Sequence, residues 1–233
     1  MLKTSPRNLF EVHKAERRAR ILAEARRMIA RRGVGALTLR DLAQASDVSV
    51  PTLYNLLGSK QALLVALLEE LFARVAARLA SASGDMVDRA LALCEAGVQE
   101  MLDEPGYFRG LVHAFLVSEE NAPLRREIDE RNVLLMAGVL AAGQHDGELE
   151  AWADPRALAG LLFASYVAVM LKWAAGELDD ARLAPTVSYG LAAILLGVAR
   201  GRARRKLERL ARLNQARAVP AHTAAAARKG ARP

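Results

Sequence analysis

Residues 38–60 read TLRDLAQASDVSVPTLYNLLGSK, a stretch with the spacing of two short helices joined by a tight turn. Thr38 is suited to cap the first helix, whose apolar positions are Leu39, Leu42 and Ala43. Asp41 in its first turn complements the positive end of the helix dipole. Ser46-Asp47-Val48-Ser49 then interrupts the helical period. Aspartate tolerates left-handed backbone, and Val48 is apolar enough to tuck between two helices. Ser49 is an N-cap, and Pro51 falls just inside the next helix, where its missing N–H costs nothing. The second helix carries Thr52, Tyr54 and Asn55 over an expected buried pair, Leu53 and Leu56. Two short helices joined by about four residues form the geometry that lays a recognition helix in the DNA major groove.

Each exposed residue type in this stretch has a use on a duplex. Thr38 and Ser49 each offer a hydroxyl and a helix N-terminus to a phosphate. Thr52 and Asn55 are candidates for base edges, asparagine because its amide matches adenine bidentately. Val50 and Pro51 are placed to touch a thymine methyl.

The run over residues 20–68 resembles the DNA-binding domain of the tetracycline-repressor-like (TetR) family. Ile21 and Ala25 fall in its first helix, which Gly33 ends. Thr38 and Asp41-Leu42-Ala43 match the second helix, Val48-Ser49 the turn, and Thr52-Leu53-Tyr54 the recognition helix. Ser59-Lys60, with Leu63-Leu64 behind, matches the start of the next helix. The sequence departs at Asp47, where the family usually has glycine, and at Leu56-Leu57-Gly58, which replaces a more frequent His-Phe pair and its follower. The resemblance implies that Tyr54 and Lys60 contact backbone phosphate. It also implies an all-α fold, with an N-terminal three-helix reader and a C-terminal helical body for ligand binding and dimerisation. A small-molecule pocket is implied in that body. The aromatic and sulfur-bearing residues Met101, Phe108, Phe115, Met136, Phe163, Tyr166, Met170 and Trp173 are its candidate walls, although at helical spacing the same residues serve as plain core. Few polar groups are in reach, so an apolar or aromatic inducer is favoured.

Composition agrees with helices. Eight prolines and sixteen glycines are spread over 233 residues rich in Ala, Leu, Arg and Glu. The charge is segregated. Residues 1–60 hold 12 Lys/Arg against 5 Asp/Glu (+7), residues 61–199 hold 10 against 20 (−10), and residues 200–233 hold 11 against 1 (+10), giving the net +7 of the chain. A basic reader on an acidic body orients a DNA binder, because phosphates attract one end and repel the other.

The pattern divides the chain into an arm (1–10), a helix-turn-helix domain (11–60), a helical body (61–205) and a basic, partly disordered tail (206–233). Predicted helices cover about 11–32, 60–81, 84–103, 107–118, 123–143 and 155–177, and a last helix opening at Pro185 runs on past Gly201. Residues 158–176, LAGLLFASYVAVMLKWAAG, are nearly apolar all round. A membrane span and a helix buried on several sides both read this way. Lys172 and the dilution by Ala and Gly favour the soluble reading, with no membrane contact and a cytoplasmic protein. Together with residues 189–199 this segment resembles the family's dimerisation pair, so a homodimer through the last two helices is expected. The small residues Ala159, Gly160, Ala164, Gly190, Ala193 and Gly197 would permit close approach.

Enzymatic chemistry is not in view. There is no glycine-rich phosphate loop, zinc-spaced Cys/His set or nucleophile elbow. His13, His113, His145 and His222 are scattered, and His145-Asp146 with Glu148 reads as polar loop rather than metal site. No cofactor is expected. Cys94, the single cysteine, excludes an internal disulfide and sits in an apolar context that suits a small buried side chain. The reading is a dimeric regulator, expected to be a repressor, that binds a double-stranded operator and leaves it when a small molecule occupies the body. The alternative is a dimeric DNA-binding regulator without small-molecule sensing. The tail beyond Asn214 cannot bury a core. It reads either as a solubilising overhang or as a non-specific nucleic-acid contact.

Overall fold

The computed structural model describes residues 6–80, 82–117 and 119–218. Ten α-helices account for most of them: α1 (Pro6–Arg32), α2 (Leu39–Ala45), α3 (Val50–Leu57), α4 (Lys60–Leu79), α5 (Met86–Asp103), α6 (Pro105–Val117), α7 (Ala122–His145), α8 (Pro155–Ala174), α9 (Asp180–Leu196) and α10 (Gly201–Ala218). The chain divides into two compact units. The first runs up to Arg74 and takes in Glu104–Asn121; the second comprises Val75–Asp103 and the chain from Ala122 onward. The division falls within α4, and α6 belongs to the first unit.

The first unit is built on the apolar stripe of α1. Ile21, Leu22, Ala25 and Ile29 are fully buried with Leu42, Leu53, Leu63 and Leu67 of the following helices. Helix α6 lies against α1 closely enough to require glycine. A Cβ on Gly110 would stand 2.9 Å from the carbonyl oxygen of Ile29. Tyr107 and Phe108 are buried edge to face, with centroids 5.1 Å apart. Arg26 ties α1 to Glu70 on α4 and, at 3.5 Å, to Glu104. The N-terminal helix begins at Pro6, ahead of the expected start near residue 11. Residues 1–5 of the expected arm lie outside the described residues.

The second unit packs α5, α7, α8, α9 and α10 around Met86, Leu140, Ala159, Leu191, Ala192, Leu195 and Leu207. Helices α5 and α7 approach at Gly143, where a Cβ would come within 2.6 Å of Met86. Glu100 of α5 is a buried carboxylate. Arg78, near the end of α4, donates to it at 2.8 Å and to Asp103 at 2.6 Å. The hydrogen bond to Glu100 raises the Arg78 pKa above its ordinary value.

The C-terminal helices depart from expectation. Helix α9 starts at Asp180, not Pro185, because Asp179 caps it by accepting from the Arg182 amide at 3.0 Å. Pro185 is held inside it. Helices α9 and α10 are separate. Between them the backbone pairs with the polar loop 144–153: the Glu150 amide donates to the Val198 carbonyl and the Arg200 amide to that of Glu148, both at 2.8 Å. The loop is itself fixed by side chains. Gln144 donates to the carbonyls of Glu150 and Ala153, and the Glu148 carboxylate caps α5 at the Met86 amide, 2.9 Å away.

Residues 206–213 are helical, in keeping with a last helix that runs past Gly201, and the helix continues to Ala218, into the stretch expected to be disordered. Leu207 is fully buried, which at about 1.5–3 kcal/mol for a leucine is enough to hold a short helix in place. Lys206 clamps α10 to α5 through Asp85 (2.8 Å) and Asp88 (2.5 Å). Burial alone would raise the Asp85 carboxyl, but the hydrogen bond from Lys206 and its companions outweigh it and hold the pKa below the usual value. The remaining tail, residues 219–233, lies outside the described residues.

Candidate nucleic-acid interface

The two reader helices are fixed by their caps. Thr38 Oγ1 accepts from the Asp41 amide at 3.1 Å, and Ser49 Oγ accepts from the Thr52 amide at 3.2 Å. Between the helices Asp47 takes a φ of +52°. This left-handed conformation explains why glycine is usual at the position in the family the sequence resembles, and aspartate is one of the few other residues that accept it. The Val48 amide closes the turn onto the Ala43 carbonyl at 3.0 Å.

Helix α3 is buried on one face by Leu53 and Leu57, not by Leu53 and Leu56 as expected. Four residues complete a turn, so Leu57 shares the face of Leu53, and Leu56 turns toward α1. The opposite face is open. Val50, Pro51, Tyr54 and Asn55 are exposed and Thr52 is half-buried. Thr52 Oγ1 sits 2.7 Å from Ser49 Oγ, so its hydroxyl already has a partner. The Asn55 amide makes no hydrogen bond among the described residues, which leaves both its donor and its acceptor for a base edge. Lys60 is half-buried at the start of α4, beside Ser59, whose hydroxyl accepts from the Ala62 amide at 3.1 Å.

A groove of about 1170 Å³ separates α3 from the N-terminal half of α1. His13, Lys14, Glu16, Arg17, Ala19 and Arg20 line one wall, and Thr52, Asn55 and Leu56 the other. In the sequence Arg17 and Arg20 read only as surface charges. Their helical spacing with His13 is the signal that places them on one face; what that face meets is visible only in the fold.

Residues 21–67 match the family model described as bacterial regulatory proteins, tetR family. The fold of the larger part of the chain is that of solved regulators. SmeT, the repressor of the Stenotrophomonas maltophilia multidrug efflux pump SmeDEF, superposes with a TM-score of 0.65 at 20% identity, covering 80% of this chain and 92% of that one. The chain carries a tetR-family DNA-binding domain at residues 21–67. NalD, the secondary repressor of the Pseudomonas aeruginosa MexAB-OprM multidrug efflux pump, superposes with a TM-score of 0.61 at 19% identity over 80% of this chain and 97% of that one. A TetR-family transcriptional regulator from Pectobacterium atrosepticum reaches 25% identity and a TM-score of 0.58, over 82% and 97% of the two chains. The comparison with curated proteins gives no match.

The eight expected pocket residues do not form one set. Phe108 packs in the first unit, against Tyr107. The Phe115 side chain lies outside the described residues. Trp173 is fully buried, with its indole N–H donating to Asp180 at 2.7 Å, and Met136 belongs to the second unit's core. Met101, Phe163 and Tyr166 remain together on α5 and α8. Phe163 and Tyr166 stack with centroids 6.5 Å apart, and the Tyr166 hydroxyl meets Met101 Sδ at 3.6 Å. A thioether is a weak acceptor, so the phenol is underused. Burial raises the Tyr166 pKa and pushes the nearby Cys94 thiol up to about 12, leaving that cysteine protonated and unreactive at neutral pH. Met170 is half-buried on α8.

Proposed function

We propose that this chain is a tetR-family repressor that binds a two-fold symmetric operator as a homodimer and is released by a small apolar molecule. The observation that carries the DNA-binding half is the open face of α3, with an unpartnered Asn55 amide beside Tyr54 and Val50. Thr38, Ser49, Tyr54 and Lys60 serve phosphates; Asn55 reads a base, and Val50 and Pro51 lie against a thymine methyl. Asn55→Ala should cost about 1–3 kcal/mol and relax preference at one base pair per half-site. Lys60→Ala and Tyr54→Phe should weaken all sequences alike, since phosphate carries no sequence information. Binding titrations against a set of single-base operator variants separate the two. An Asn55→Ala variant with unchanged preference removes Asn55 from the reading role.

The dimer reading rests on α8. Only 22% of its most apolar window is buried, at a mean hydropathy of 1.7, so the segment is not the enclosed helix that its composition suggested. Ala157, Leu161, Ala164, Ala168 and Leu171 are all exposed and recur every three to four residues, a single open apolar stripe. Ala193 and Gly197 are exposed on α9. Helix α10 packs back onto the protomer through Leu207 and Lys206, so the proposed dimer uses α8 and α9, the segments 158–176 and 189–199 expected to pair.

The ligand reading rests on Met101, Phe163, Tyr166 and Met170, an apolar set with one underused hydroxyl. SmeT and NalD are named as repressors of multidrug efflux pumps, which supports an apolar ligand here. A ligand that binds only the released form weakens operator binding by the factor by which the operator weakens the ligand. Thermal shift against apolar aromatic compounds, followed by operator release with each hit, tests it. Hits that stabilise the protein without releasing DNA contradict induction.

A further inference from the structure

The helix-turn-helix leaves the front half of α1 unexplained. None of residues 11–20 is buried, and Ile21 is the first of the described side chains to enter the core. A polar helix of this length gains little by itself in water. Residues 6–20 nevertheless carry five cations, Arg7, Lys14, Arg17, Arg18 and Arg20, against Glu11 and Glu16. The helical period sets His13, Glu16, Arg17 and Arg20 on one face, and that face looks across the groove at Thr52 and Asn55. Lys14, Arg17 and Arg20 make no ion pair among the described residues. The one carboxylate in the wall, Glu16, sits 3.4 Å from His13 Nδ1.

We propose that this groove seats the sugar–phosphate backbone of one DNA strand, with Lys14, Arg17 and Arg20 neutralising successive phosphates beside the base pair that Asn55 reads. The inference rests on the DNA-binding reading of α3 and adds a second, sequence-independent contact to it. The dimensions agree. Six residues of α-helix separate Lys14 from Arg20, about 9 Å along the axis, and one strand of a duplex presents a phosphate every ~3.4 Å of its own axis. The strand winds around that axis, so successive phosphates lie farther apart along its backbone than this rise, and about two of them pass the three cations. The groove opens to solvent and runs beside the reading face, as a continuous strand requires. The contact fixes α3 in register without adding sequence information.

The test uses the full chain and fluorescence anisotropy with two labelled duplexes, one recovered by selection from a randomised pool and one scrambled, between about 50 and 200 mM KCl. The combined Lys14→Gln, Arg17→Gln, Arg20→Gln variant should flatten the slope of log K against log salt by about 2 per protomer, at about 0.9 per phosphate. The ratio of the two affinities should stay at the wild-type value. Glu16→Gln, which removes the one carboxylate, should tighten both duplexes several-fold. All four positions are exposed, so the melting temperature should hold, and the opposite signs of the two variants separate charge from folding. A triple variant whose slope stays within about half a unit of wild type overturns the proposal while leaving the α3 reading intact. Wild-type protein that prefers neither duplex overturns the α3 reading, and this inference with it.

Discussion

Leu161→Asp should turn the protein into monomers and abolish operator binding at concentrations where the wild type is a dimer. Leu161 is 60% exposed in the protomer, on the open stripe of α8, so the substitution leaves the isolated fold intact. In a two-fold interface each introduced carboxylate is met by its symmetry mate. Two desolvated, unpaired carboxylates cost several kcal/mol together. Since about 1.4 kcal/mol is a factor of ten, the dimer weakens by at least about a thousandfold. Ala193→Asp on α9 should act the same way. Light scattering at micromolar concentration reads the mass and circular dichroism the helicity. A monomeric wild type, or a Leu161→Asp variant that stays dimeric, contradicts the interface.

The second large effect lies in the Arg78–Glu100 pair. Arg78→Met leaves the Glu100 carboxylate buried, with its side chain only 4% exposed, and without its guanidinium. Breaking a buried pair this way costs about 3–5 kcal/mol. Arg78 itself is 41% exposed, so water reaches part of the site and the expected loss is at the low end, about 3 kcal/mol. Adding Glu100→Gln removes the buried charge and should restore more than half of that loss. Urea unfolding of the single and double variants measures it; a double variant no more stable than Arg78→Met shows that the charge was not the cause.

The reader was legible in the sequence because its signals are local. Thr38, Ser49 and Asp47 each act within three residues of their own positions, as caps or as a tolerated left-handed turn, and the structure places them in those roles. Where the outcome depends on what packs against what, the sequence misled. The closeness of α6 to α1 hangs on Gly110 against the Ile29 carbonyl, far away in the chain, and nothing near residue 110 marks it. The break between α9 and α10 is set by pairing with the 144–153 loop. Leu56 and Leu57 are adjacent leucines whose burial differs only through their angle on α3. The pocket residues are ambiguous for another reason. Aromatic and sulfur side chains at helical spacing fit a core and a binding wall equally, and Trp173 and Phe108 turned out to be held by Asp180 and Tyr107. The arginines of α1 were visible as charges, but only the fold brings Arg17 and Arg20 opposite Asn55.

Selection of duplexes from a randomised pool by the full-length protein tests the central claim, that α3 of a two-fold dimer reads DNA sequence. The account predicts enrichment of a palindromic motif, with half-site centres about one helical turn, ~10–10.5 base pairs, apart or a simple departure from it. It also predicts loss of preference at one position per half-site when Asn55→Ala protein repeats the selection. A pool that stays random after repeated rounds, with equal affinity for all its members, contradicts the account.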